Sequence, residues 1–164
     1  MKKFLCILLT LAALLAVCAC EPTDEESAAF ASFTYGGTVV QLDSDAEAVL
    51  AALGAYTAFA ETNSCYGDGK DKVYQYTSFK VTTYSSRGKD YVLSVEIFND
   101  TDEKACTTEG ICIGASTADV IATYGDAKEQ SDSALVYVNT ATKTRLQFLL
   151  RDGKVTNIQY LKSE

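Results

Sequence analysis

The chain has 164 residues, with 14 Lys and Arg against 22 Asp and Glu, a formal net charge of −8, no His and no Trp. The absence of His excludes imidazole general bases, His-based triads and His-dependent zinc sites. An acidic chain with scattered Lys and Arg repels phosphate backbones, which disfavours nucleic acid as a partner, and its length fits one medium-sized domain.

Met1, Lys2 and Lys3 form a positive start, Phe4 to Val17 is an almost unbroken apolar run of 14 residues, and small residues follow. That order marks a secretory signal. The run is shorter than the roughly 20 apolar residues a spanning helix needs. The acidic Glu21-Pro22-Thr23-Asp24-Glu25-Glu26 follows it in place of a basic stop-transfer flank. Val17-Cys18-Ala19-Cys20 resembles the bacterial lipobox: an aliphatic residue, a tolerant position, a small residue, then the cysteine that is lipidated. Cys20 fits the lipidated position and Cys18, preceded by Val17, fits it worse; a cleaved secretory signal that happens to contain cysteines is the alternative. A diacylglyceryl group on Cys20 would tether the domain at the membrane. Residues 1–19 are therefore expected to be a lipoprotein signal peptide, whose loss removes Lys2 and Lys3 and takes the net charge from −8 to −10. Residues 20–31 are expected to be the lipidated Cys and an acidic tether.

The remainder, 32–164, contains no Pro and is long enough to bury roughly two-thirds of its unfolded surface in one core. Thr34 to Val40 reads as a hairpin, with Gly36-Gly37 supplying the positive φ angles of a tight turn. Ser44-Asp45-Ala46-Glu47 resembles a capping box ahead of a short helix with Val49, Leu50 and Leu53 on one face and Gly54 as its stop. Strands are expected near Val73–Thr77, Phe79–Tyr84 and Asp90–Phe98, with Ser85-Ser86-Arg87-Gly88 as a turn. A second capped segment, Ser116-Thr117-Ala118-Asp119 with Val120, Ile121 and Tyr124 before Gly125, repeats the plan. Strands near Ala134–Asn139, Lys143–Leu150 and Lys154–Leu161 follow it, with a turn at Arg151-Asp152-Gly153. An offset of 71 residues aligns Leu42 with Ile113, Val49 with Val120, Leu50 with Ile121 and Gly54 with Gly125. These features predict an α+β domain of two tandem helix-plus-antiparallel-meander repeats, about 32–100 and about 107–164, with the helices packed on one face of the sheet.

Glu109-Gly110-Ile111-Cys112-Ile113-Gly114, followed by Ala115 to Val120 and then Tyr124-Gly125-Asp126, is similar to a pattern shared by two related groups. These are the beta-lactamase inhibitory proteins and the small lipoproteins of the outer-membrane assembly machine. Ser64-Cys65, Asp71 to Tyr76 and Gly153-Lys154-Val155 also resemble small lipoproteins of Gram-positive anaerobes, a family with no established activity. The first resemblance implies tandem repeats joined into one curved sheet whose uncovered face grips a protein partner.

Cys106 and Cys112 are the candidate disulfide in an exported chain; Cys65 with either of them, or three reduced thiols, are the alternatives. Cys65 as a catalytic thiol lacks the His that would activate it, so a buried or idle thiol is the preferred assignment. Asn99-Asp100-Thr101-Asp102-Glu103 offers oxygens to calcium but lacks the Gly and distal Glu of a calcium loop, and reads as a solvated acidic connector. Tyr66-Gly67-Asp68-Gly69-Lys70 lacks the spacing of a phosphate-binding loop and reads as a surface turn. No enzyme signature emerges, and no catalytic residue, metal site or cofactor is expected. Strand parity puts Leu93, Val95 and Ile97, and Leu146, Phe148 and Leu150, under the helices. Tyr84, Glu96, Phe98, Arg145 and Gln147 then face the other way as a candidate partner surface. The expected function is a membrane-anchored, exported protein-interaction module of the cell envelope, with an unknown envelope protein as partner. A small-ligand or cation-binding lipoprotein accessory to a transporter, using loops around Tyr66 and Asp100, is the alternative.

Overall fold

The structure, a computed structural model, describes residues 32–99 and 104–162. The signal, Cys20, the tether and the acidic connector at 100–103 lie outside these residues.

Strands β1 (Ser32–Tyr35) and β2 (Thr38–Gln41) form the hairpin turned by Gly36 and Gly37, whose φ angles are 55° and 87°. Helix α1 (Ala46–Leu53) follows, then β3 (Ala58–Asn63), β4 (Lys70–Gln75), β5 (Phe79–Ser86) and β6 (Lys89–Ile97). After β7 (Ala105–Thr107) come helix α2 (Thr117–Tyr124) and strands β8 (Glu129–Ser131), β9 (Ala134–Asn139), β10 (Thr144–Arg151) and β11 (Lys154–Lys162). Eight strands make one antiparallel sheet in the order β3-β4-β5-β6-β11-β10-β9-β8, and β2-β1-β7 make a second.

The two sheets share one core. Phe33 of β1 lies 5.2 Å edge-on from Phe79 of β5 and 6.5 Å from Tyr160 of β11, and Tyr35 lies 4.7 Å from Phe79. These contacts press the small sheet onto one face of the large one. Val81, Val92, Val95, Ile97, Leu146, Phe148 and Ile158 complete that buried face. From the helices only Ala46 and Val49 of α1 and Val120 of α2 are buried.

The expectation of an α+β domain made of two helix-plus-meander repeats is therefore overturned. The described residues are 54% strand and 13% helix, in two antiparallel sheets with only two helices. Each helix has eight residues, too few to roof an eight-stranded sheet, and the roof includes a third-strand pairing that sequence periodicity does not reveal. β1 pairs with β7, Phe33 opposite Thr107, so the first hairpin is completed by a segment from the other half of the chain. Leu53, Ile121 and Tyr124 are half-buried against the core margin rather than inside it, and Leu50 is half-buried as well.

One parity assignment also shifts. Thr82 opposes Ser94 but Thr83 opposes Val92, so Leu93 is the extra residue of a bulge. Val92 enters the core in its place and Leu93 is left half-buried. At α1 the cap is Asp45, whose carboxylate accepts from the Glu47 amide at 3.0 Å. At α2 the capping box read from Ser116 and Asp119 is complete, each side chain engaging the other's backbone.

Candidate functional site

The face of the large sheet turned away from the small sheet is built by alternation. Phe79 and Val81 point into the core, so Lys80, Thr82 and Tyr84 point out; the same holds for Glu96 against Val95 and Ile97, and for Arg145 and Gln147 against Leu146 and Phe148. Register sets the rows. Lys80 opposes Glu96, Glu96 opposes Gln159, and Gln159 opposes Gln147, giving one polar row across four strands. Arg145 stands in the next row, opposite Leu161, which in turn opposes Ser94.

Glu96 is fully engaged in its row. The Lys80 ammonium lies 2.5 Å from it and the Asn157 amide donates to it at 2.9 Å. Burial would raise its pKa, but these hydrogen bonds outweigh that and hold the carboxyl below the usual range. Arg145 differs. It has no ion pair among the described residues, and its Nε is buried without a hydrogen-bond partner among them. With Gln147, Glu129, Ser131 and Val136 it lines a hollow of about 210 Å³.

Tyr84 sits at the far end of the face, in a cluster the sequence did not announce. Its hydroxyl donates to Asp43 at 3.0 Å, its ring lies 5.0 Å from Tyr66 and 5.7 Å from Tyr91, and Lys162 reaches Asp43 at 2.5 Å while lying 5.7 Å from the Tyr66 ring centroid. Burial and the bond to Asp43 both raise the Tyr84 pKa. The β3–β4 loop carrying Tyr66 is seated on β5: the Asp68 amide donates to the Ser85 carbonyl at 3.2 Å, and a Cβ on Gly67 would lie 2.1 Å from the same oxygen. The segment Tyr66 to Lys70 lies at the surface as expected, and these contacts also clamp it to the sheet.

Of the five candidate surface residues, the register brings Glu96 and Gln147 into one row with Arg145 beside them. Tyr84 is separate, and Phe98 lies past the end of β6, its amide turned to the Ser78 carbonyl at 3.0 Å. Asp43, Lys162, Asn157 and Gln159 were missed and carried no signal, and Tyr66 was named only in the loop of the small-ligand alternative.

On the opposite side a cleft of about 580 Å³ opens between the start of α1 and β4–β6, lined in part by Glu47, Leu50, Lys72, Tyr74 and Asp90. Lys72 lies 2.5 Å from Asp90, which also accepts from Ser85 at 2.5 Å. Cys106 and Cys112 form the disulfide, and Cys65 is free and exposed. No group of three or more His, Cys, Asp or Glu among the described residues is arranged to hold a metal ion. No family model matches the chain, and no curated protein or solved structure matches it.

Proposed function

We propose that the chain is an exported lipoprotein, anchored to the outer face of the cell membrane through Cys20, that presents the outward face of its large sheet to a protein of the cell envelope. The observation that carries the interaction half is Arg145, a guanidinium on a sheet face with a buried nitrogen that has no partner among the described residues and a hollow beside it. A planar guanidinium is matched to a carboxylate, and Arg and Tyr dominate interface energies more often than other residues. The anchor half rests on Val17-Cys18-Ala19-Cys20 after a short apolar run. The role is that of a binding module rather than an enzyme, and it needs no cofactor.

The test is capture of a partner from native membranes by the full chain, followed by Arg145→Ala and Tyr84→Ala made separately. Each should weaken capture by about fivefold or more, a loss above about 1 kcal/mol, at a temperature where the variant is still fully folded; the melting temperature should fall only for Tyr84→Ala, which loses its ring contacts and its bond to Asp43. Unchanged capture by both variants places the working surface elsewhere. For the anchor, Cys20→Ser should abolish partition into a detergent phase; continued partition with Cys18 intact overturns the choice of Cys20.

The small-ligand reading has one observation in its favour, the cleft beside α1. A ligand held there raises the melting temperature with its concentration, so thermal shifts against a panel of ions and metabolites separate the two readings.

A further inference from the structure

The two edges of the large sheet are unlike. β8 has three residues, whereas β3 has six and every one is exposed. Proteins ordinarily blunt such an edge by shortness, Lys, Pro or a bulge. β3 has none of these: its pairing with β4 runs without irregularity, and its only charge, Glu61, is held by Lys70 of β4. An aromatic patch borders it, with Phe59 47% exposed and packed 5.2 Å from Tyr74 and 6.1 Å from Tyr56, itself 48% exposed.

We propose that β3 pairs with β3 of a second copy of this chain, antiparallel about a two-fold axis at Ala60, so that two large sheets join edge to edge. The inference concerns an edge rather than the outward face, and it stands or falls apart from the partner reading.

The backbone fixes which groups are free. The Ser64 amide donates to the Gly69 carbonyl at 3.1 Å, continuing the register in which Asn63 opposes Lys70. Hydrogen-bonded and non-bonded pairs alternate along an antiparallel ladder, so Thr62, Ala60 and Ala58 bond to β4 while Phe59, Glu61 and Asn63 turn their amides and carbonyls outward. With the axis at Ala60, Phe59 of each copy stands opposite Glu61 of the other and exchanges both backbone bonds with it. Ala58 stands opposite Thr62, and Ala60 meets its own copy. Phe59 and Glu61 share one face of β3, and Ala58, Ala60 and Thr62 share the other, so every opposed pair lies on a common face. An axis at Glu61 would instead oppose two carboxylates, and an axis between residues would set inward groups against outward ones. At Ala60 charge, face and hydrogen bonding agree, and the two Phe59 rings become diagonal neighbours that merge the aromatic patches.

The register is tested by thiol cross-linking. In the full chain carrying Cys65→Ser, Ala60→Cys places two thiols across the axis at a non-bonded site, with Cβ atoms about 5 Å apart. Ala58→Cys places them about 14 Å apart, four residue steps along the strand. Mild oxidation should give a linked dimer for Ala60→Cys several-fold above the Cys65→Ser parent and above Ala58→Cys. Equal linkage of the two overturns the register, and linkage no greater than the parent's overturns the pairing. Glu61→Pro removes an outward amide and none that bonds to β4. Its light-scattering mass in a fixed detergent should fall to that of one chain with an unaltered circular dichroism spectrum; an unchanged mass overturns the proposal.

Discussion

Phe33 meets Phe79 edge-on at 5.2 Å, one ring from the small sheet and one from the large, and both are fully buried. This contact lies where the two sheets close on each other. Truncating Phe33 to Ala should cost about 3 to 5 kcal/mol, because the ring leaves a cavity between two sheets that cannot collapse independently. Leu50→Ala, on the half-buried side of α1, should cost clearly less. Denaturant unfolding of both variants checks the ranking; equal losses would mean that α1 contributes as much to the roof as β1.

The hairpins of both sheets were legible in part. Gly36-Gly37, Gly88 and Gly153 marked three hairpin turns that the structure forms, all with positive φ, and alternation placed Val95, Ile97, Leu146 and Phe148 in the core correctly. What failed was non-local. β7 is three residues long and its pairing with Phe33 leaves no periodic trace, while β3, reading Ala-Phe-Ala-Glu-Thr-Asn, alternates too weakly to stand out as a strand. Helix caps are local and therefore readable, so two short helices weighed more in the predicted class than their buried area justifies. At the candidate site parity found Glu96, Arg145 and Gln147, but Asp43 reaches Tyr84 from a loop 41 residues away, a distance no pattern spans.

Acid should unfold the protein through Asp90 and Glu96. In each, burial raises the carboxyl pKa, yet the hydrogen bonds from Lys72 and Ser85 to Asp90, and from Lys80 and Asn157 to Glu96, bring it below the ordinary values of 3.8 and 4.5. A depressed folded pKa gives stability that is present above the unfolded pKa and is lost as pH falls through the folded one. Denaturant midpoints should thus hold near neutral pH and drop progressively below about pH 4. Asp90→Asn should flatten that acid limb, and a limb of unchanged steepness would remove Asp90 from the account.

Gly67→Ala should unseat the β3–β4 loop. The added Cβ would lie 2.1 Å from the Ser85 carbonyl oxygen, a backbone atom with little room to move. The loop then lifts and Tyr66 leaves Tyr84, which should appear as faster amide exchange at Asp68 and Ser64 with the core amides unaffected. Protection equal to the parent's would show that the loop tolerates the methyl by local adjustment.

Cys106 and Cys112 are six residues apart, so their bond closes a short loop, for which chain entropy sets a stabilisation of about 2 kcal/mol. Replacing both with Ala should lower stability by about that amount or less, with β7 exchanging its amides faster than β5 or β6. A larger loss would mean that the bridge also holds the small sheet in register.

The pairing of β1 with β7 has a consequence for the order of assembly. Phe33 waits on Thr107, and the middle of the large sheet waits on Ile97 meeting Ile158, so the small sheet is completed only in the second half of the chain and the large one only with its last strand. Were the chain to pass a membrane N-terminus first, most of its length would be across before Phe33 and Phe79 are both covered. Closure of the large sheet is thus a late event tied to the last strand, because its central pairing joins segments about sixty residues apart.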